Sequence, residues 1–135
     1  YREIQKNAEM GIKAIEAVSP KLTDDAFALQ LSRQELKFSE IRDKARHEML
    51  EGRAEEYRSS GVTDLMLKGG IQANTLLNTS TSHIAELMIQ GSNRGLTSMW
   101  KALNHYGNAG NESTELAREL MDFEEKTIEK LKKYL

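Results

Sequence analysis

A histidine and an acidic residue at helical spacing are one candidate for chemistry in this chain. His83 and Glu86 lie three residues apart, so on a helix both side chains can reach one metal ion, and Gln90 extends the same line. The stripe continues through Arg94 and Lys101, a composition typical of a solvated helix face. We therefore expect ordinary surface residues here, with a weak metal site as the alternative.

Two further polar residues lie at positions where the helical pattern predicts apolar side chains. Gln34 falls within an apolar seam, and Glu124 falls between Leu120 and Leu131. Buried polar groups are costly unless they are hydrogen-bonded. We predict that the amide of Gln34 donates to the carboxylate of Glu124 and fixes the register of two helices. The alternative is that both residues, with a histidine, line a pocket for one metal ion or a small polar ligand.

No motif for catalysis accompanies these residues. The hydroxyl side chains from Thr79 to Ser82 lack the strand-turn-helix elbow and flanking glycines that expose a catalytic serine, so we expect a helix cap there. The absence of cysteine excludes thiolate metal sites and thiol nucleophiles, and it fits a reducing compartment. We predict a cytoplasmic protein that is not an enzyme and has no cofactor.

Charge and hydropathy exclude two classes of partner. The 19 basic and 21 acidic residues give a net charge of −2, and neither sign forms a long block, so we expect no binding to nucleic acid. The longest apolar runs are a few residues, whereas a membrane-spanning helix needs roughly 20. We expect no membrane span.

The elements that must position the candidate residues are helices, because apolar residues recur at alternating steps of four and three. The first helix is predicted over residues 2–18, ending before Pro20. The second is predicted from a cap at Thr23 to about Tyr57, with a stop at Ser59-Ser60-Gly61. Its seam consists of Phe27, Leu31, Gln34, Phe38, Ile41 and Ala45.

The second half of the chain predicts two more helical regions. One extends from Thr63 to Tyr106, with a kink or break expected at the hydroxyl-rich segment 78–82, near Ser80. The last begins near Glu112 and continues to the end of the chain. Its inward residues are predicted to be Leu116, Leu120, Phe123, Ile128, Leu131 and Leu135.

Four helices joined by short loops predict a single all-α domain over residues 1–135, folded as an antiparallel four-helix bundle. Ferritin-like di-iron proteins supply a glutamate from each of two helices and a Glu-x-x-His motif from each of the other two. Here the residue three after Gln34 is Lys37, and the residue three after Glu124 is Thr127. One inward carboxylate is too few for two iron ions, so we predict no di-iron centre.

The helical region around residue 90 has an apolar arc too wide for one core. Either this helix is clasped between two neighbouring helices, or part of the arc, with Ile89, Leu96 and Trp100 as candidates, forms a subunit interface. We expect the interface of a homodimer. Gly91 and Gly95 each cost about 1 kcal/mol in a helix relative to alanine, which predicts close approach of another helix backbone. A local helix break near Gly91 is the alternative.

Five segments of the sequence carry a resemblance: Ala8–Ile15, Ser82–Glu86, Met88–Ser92, Phe123–Glu125 and Leu131–Lys132. Together they resemble a family of short, uncharacterised bacterial helical proteins. The resemblance implies a ferritin-like or rubrerythrin-like bundle without the di-iron ligands, and it implies no reaction. We therefore expect a non-enzymatic protein that acts through self-association or protein interaction, with a bundle that binds one metal ion or small polar ligand as the alternative.

Overall fold

The computed structural model describes residues 1–52, 61–75, 78–106 and 110–135. These residues contain no β-strand, which confirms the all-helical prediction. Short 3₁₀ helices at Ser19–Lys21 and Lys132–Tyr134 follow the first and last α-helices. The α-helices are α1 (Arg2–Val18), α2 (Asp25–Glu51), α3 (Gly61–Thr75), α4 (Thr81–His105) and α5 (Asn111–Leu131).

The start of α2 corrects one prediction. Asp24, rather than Thr23, is the N-cap, and its side chain accepts a hydrogen bond of 2.8 Å from the backbone N–H of Phe27. Asp24 has an extended backbone directly before the first helical turn, where a carboxylate can reach a free N–H. At the other end α2 stops at Glu51 with Gly52 as C-cap. The predicted end at Tyr57 lies outside the described residues.

The long third helical region is divided, as the hydroxyl-rich segment predicts. Residues 78–80 are not helical, and Ser80 caps α4 by accepting a hydrogen bond of 3.2 Å from the backbone N–H of His83. The break therefore separates α3 from α4. Beyond it α4 is continuous through Gly91 and Gly95, so the alternative of a break near Gly91 is wrong.

The core contains the predicted seam of α2 at full length. All six seam residues are at most 4% exposed, and the seam continues to Met49. The last helix buries Leu116, Leu120 and Leu131 as expected, but Leu135 is 60% exposed because the polypeptide leaves α5 before it. The most extensive helix pairs are α1 with α2 and α4 with α5, so in these two cases helices adjacent in sequence also pack together.

Contacts between side chains give the relative directions of the helices. Residues early in α2 meet the 3₁₀ turn after α5, and later α2 residues meet earlier residues of α5, so these helices are antiparallel. Helix α3 lies beside α1 and runs in the same direction, since Lys13 binds Asp64 at 2.5 Å and Lys21 binds Gln72 at 2.7 Å. Among the helices of the described residues, none combines the length and apolar character that crossing a bilayer requires.

Candidate functional site

A cavity of about 350 Å³ lies between α1, α3 and α4 and is closed on one side by residues of α2 and α5. We call Gln34 and Phe38 from α2 and Glu124 from α5 the cavity floor; these three residues are 2–4% exposed. Most of the wall is apolar and contains Met10, Ala14, Ile15, Met66, Leu67, Ile71, Leu87 and Met88. This combination of apolar walls and a few polar groups is typical of small-molecule sites.

Glu124 is the principal polar group of the floor. Its side chain belongs to the buried face of α5, and its Oε2 atom has no hydrogen-bond partner among the described residues. Burial raises the pKa of Glu124 from 4.5 to about 8, because the charged carboxylate is poorly solvated there. The carboxyl group is therefore largely protonated at neutral pH and can both donate and accept hydrogen bonds.

A glycine on α4 makes room for this carboxyl group. A β-carbon at Gly95 would contact Glu124 Oε1 too closely and would lie 2.9 Å from both Glu124 Oε2 and Asn7 Oδ1. The Asn7 amide is fixed on α1 because its Nδ2 donates a hydrogen bond of 2.9 Å to the carbonyl oxygen of Gly95. The Asn7 oxygen therefore faces the same small space as the Glu124 carboxyl group.

Gln34 lies on the floor beside Glu124, but the hydrogen bond predicted between them is not formed. The Nε2 atom of Gln34 is buried and has no hydrogen-bond partner in the described structure. The sequence correctly placed both residues on inward faces, and the structure brings them to one cavity. The Gln34 amide on α2 and the Glu124 carboxyl group on α5 are therefore both able to form hydrogen bonds with a molecule bound in the cavity.

A second buried polar cluster shows how this fold satisfies an acid by itself. Glu9 on α1 accepts hydrogen bonds of 3.1 Å from Gln5 and 3.1 Å from Arg46. The Arg46 guanidinium provides the opposite charge that a partly buried carboxylate requires. The Glu124 carboxyl group forms no salt bridge in the described structure.

One turn further along α5, Thr127 is also buried at 3% exposure, and its hydroxyl oxygen has no hydrogen-bond partner among the described residues. It does not line the cavity. In a helix the threonine hydroxyl ordinarily bonds to a carbonyl one turn earlier. Burying the Thr127 hydroxyl without that bond therefore lowers the stability of the fold further.

The other candidate residues lie elsewhere. His83 Nδ1 and Glu86 Oε2 are 3.9 Å apart on α4; the Glu86 side chain is 58% exposed, whereas the His83 side chain is only 22% exposed. None of the described residues that line the cavity is a histidine, so the structure does not bring a histidine to Glu124 and Gln34 as one form of the pocket hypothesis required. In the part of the chain that is described, no three His, Cys, Asp or Glu residues are placed to hold a metal ion.

The residues suggested for a dimer interface have different environments. Ile89 and Leu96 are partly buried and pack against the core, whereas Trp100 is 53% exposed. They follow one another along α4, and Tyr106 near its end is 59% exposed.

Sequence reasoning missed one contributor to the site, Asn7, and expected a different neighbour for another, Gly95. Asn7 gave no signal, because an asparagine on an amphipathic helix is unremarkable. Gly95 was identified as a point of close approach, but the groups that approach it are the side chains of Glu124 and Asn7 rather than a helix backbone. Around Gly91 the space is open.

Comparisons of the chain with protein-family models, with curated proteins and with solved structures find no match. The resemblance to short bacterial helical proteins therefore stays a prediction.

Proposed function

We propose that this protein is a non-enzymatic binding protein whose cavity holds a small, largely apolar molecule with one polar end. The observation that carries the proposal is a pair of buried polar groups, Glu124 Oε2 and Gln34 Nε2, that have no hydrogen-bond partner among the described residues and lie on the floor of a cavity of about 350 Å³. Each such group costs about 1–3 kcal/mol when it is buried without a partner. A ligand that bonds to both recovers that free energy.

The shape of the site supports a molecule rather than a bare metal ion. Most lining side chains are apolar, which favours contact with carbon atoms, and a volume of this size is at the small end of the range for ligand pockets. The floor offers one carboxyl group, while a metal ion prefers several charged or polar ligands. Binding of a single metal ion is therefore the weaker form of the proposal.

The architecture we propose around the site is one cytoplasmic domain with a ferritin-like helical bundle formed by α1, α2, α4 and α5, with α3 alongside α1. Bundles commonly place ligand sites between facing helices. The cavity residues Asn7, Gln34, Gly95 and Glu124 belong to those four helices, one residue to each.

Ligand-observed NMR with a mixture of small fragments tests the proposal. Gly91 lines the cavity and has open space around it, so Gly91→Leu is expected to narrow the cavity without unfolding α4. Gly69 also has open space but does not line the cavity, and Gly69→Leu is the matched control. We expect fragments that bind the wild type and the control but not Gly91→Leu. If no fragment distinguishes the two variants, the proposal is wrong.

A second proposed function is self-association through α4, as a homodimer. It is supported by the exposure of Trp100, the chain's one tryptophan, since large aromatic side chains are enriched at protein interfaces. Light scattering at micromolar concentration should give twice the 15.3 kDa mass of the chain, and Trp100→Lys should restore the monomer. Leu36→Lys, at a 73% exposed position on α2, should leave the dimer intact. A monomeric wild type would exclude this role.

A further inference from the structure

We propose that the cavity takes a small amphipathic amine, with its ammonium group against the Glu124 carboxylate and its apolar part along the walls. This inference rests on the proposed ligand-binding function and specifies the chemical class of the ligand. It is carried by the arrangement of acceptors on the floor, by the distribution of charge around Glu124 and by the apolar walls.

The hydrogen-bond acceptors at the polar end of the cavity are side-chain oxygens of Glu124 and Asn7. Glu124 Oε2 is buried without a partner in the part of the chain that the structure describes, and Asn7 Oδ1 lies beside the same carboxyl group. The Asn7 amide cannot turn its donor toward Glu124 without giving up its 2.9 Å bond to the Gly95 carbonyl. Two side-chain oxygens from different helices therefore share one small space, and an ammonium group, which has three donors, matches them.

The distribution of charge points to a cation as well. Glu9 has Arg46 as its partner, whereas Glu124 has no salt bridge within the described structure. The charged residues that line the cavity are Glu3 and Lys6 from α1 and Arg94 from α4, with none from α2 or α3. None of them offsets the burial that raises the pKa of Glu124 to about 8. A ligand ammonium would supply the missing positive charge.

The remaining surface fits an aliphatic or aromatic body. Methionines from three helices, Met10, Met66 and Met88, line the cavity, and their flexible side chains adapt to ligands of different shape. On the floor, Gln34 Nε2 is a donor that has no hydrogen-bond partner among the residues described. A hydroxyl group close to the amine nitrogen would accept from it, so amino alcohols satisfy both polar residues of the floor.

Isothermal titration calorimetry with three probes of equal chain length isolates the head group. The probes are n-octylamine, 1-octanol and octanoate, titrated into the wild-type protein at pH 7 in two buffers of different ionisation enthalpy. We expect n-octylamine to bind at least tenfold more tightly than the other two. Because the empty protein holds a proton on Glu124, binding of the ammonium should release close to one proton per site.

Two variants complete the experiment. Glu124→Gln keeps the shape of the side chain but cannot ionise, so n-octylamine should bind at least tenfold more weakly and proton release should disappear. Gly91→Leu, which narrows the cavity, should also weaken binding, and this excludes adsorption to the protein surface. If Glu124→Gln does not fold, proton release by the wild type together with Gly91→Leu still decides the outcome.

Different results would overturn the preference for an amine and the existence of the ligand site. Binding of 1-octanol or octanoate as tight as that of n-octylamine, or amine binding without proton release, overturns the amine assignment and leaves a general ligand site. Amine binding that survives in Gly91→Leu overturns the assignment of the cavity. Absence of binding by all three probes at millimolar concentration overturns both the amine assignment and the proposed ligand site.

Discussion

The carboxyl group of Glu124 on α5 packs directly against the α-carbon of Gly95 on α4, in space that any other residue at position 95 would fill with its β-carbon. The contact joins an ionisable group whose pKa is strongly raised by burial to a glycine, which is otherwise costly in a helix. It also brings the Asn7 amide from α1 into the same place. Three helices therefore meet at the polar part of the cavity.

Gly95→Ala should displace the carboxyl group without unfolding the protein. The atoms that a β-carbon would meet are ends of flexible side chains, and alanine gains about 1 kcal/mol of helix propensity over glycine. We therefore expect a stability within about 1 kcal/mol of the wild type, but at least tenfold weaker binding of n-octylamine. Gly91→Ala, in open space on the same helix, should raise stability by up to about 1 kcal/mol and keep binding. Equal binding by the two variants would contradict this account.

Glu124→Gln should change how stability depends on pH. The folded state holds a proton on Glu124 up to about pH 8, while the unfolded state loses it near the ordinary value of 4.5. Glu124 therefore makes the wild type less stable as pH rises from about 5 to 8, by up to about 1.4 kcal/mol per pH unit. The variant lacks this loss, so it should exceed the wild type by about 2 kcal/mol or more at pH 8 in urea unfolding. Parallel curves for the two proteins would contradict the prediction.

Glu119 provides a control of opposite sign on the same helix. Its hydrogen bond to Lys37 at 2.9 Å holds the pKa of the Glu119 carboxyl group below its ordinary value, and Lys44 at 3.2 Å adds to this. The resulting stability is present above the unfolded pKa and is lost as pH falls through the folded pKa. Glu119→Gln should therefore lower stability at pH 7, by less than about 1 kcal/mol for so exposed a pair, and this difference should vanish in acid.

Gly11→Ala should destabilise the contact between α1 and α2. A β-carbon at Gly11 would lie 2.7 Å from the ring of Phe38, and that ring packs edge-on against Phe123 with 4.9 Å between the ring centroids. An aromatic ring held on both sides cannot move aside as a carboxyl group can. We expect a loss of about 1–3 kcal/mol in urea unfolding, partly offset by helix propensity. Gly69→Ala, with nothing within 4 Å, should gain stability instead, and equal effects would refute the packing argument.

The start of α2 offers a direct test of helix capping. Asp24→Ala removes the acceptor for the N–H of Phe27 and should cost about 1 kcal/mol. Thr23→Ala, one residue earlier, should cost less than half as much, because Thr23 is not the cap. Thermal or urea unfolding of the two variants distinguishes them. A larger loss of stability for Thr23→Ala than for Asp24→Ala would show that Thr23 is the N-cap.

The helices and their buried faces were predictable because they depend on local periodicity. The seam from Phe27 to Ala45 and the break at Ser80 follow from residue types within a few positions of each other. The choice of Asp24 over Thr23 as the cap was not predictable, since both side chains accept hydrogen bonds well and the backbone decides between them.

The candidate site was predictable only in part. The apolar pattern identified Gln34 and Glu124 as polar residues on inward faces, and both are buried. Their lack of a mutual hydrogen bond depends on how far apart α2 and α5 place the two side chains, which no periodicity reveals. The contribution of Asn7 depends on the packing of α1 against α4, between residues 88 positions apart in the chain.

The contact between Gly95 and Glu124 also predicts how these two positions vary among homologous proteins. Where descendants of a common ancestral gene keep the acid at position 124, glycine at 95 should be kept with it, since each limits the replacements that the other tolerates. Shortening the acid, as in Glu124→Ala, removes that constraint and opens position 95 to larger residues. The residues at positions 95 and 124 should therefore covary in homologous sequences.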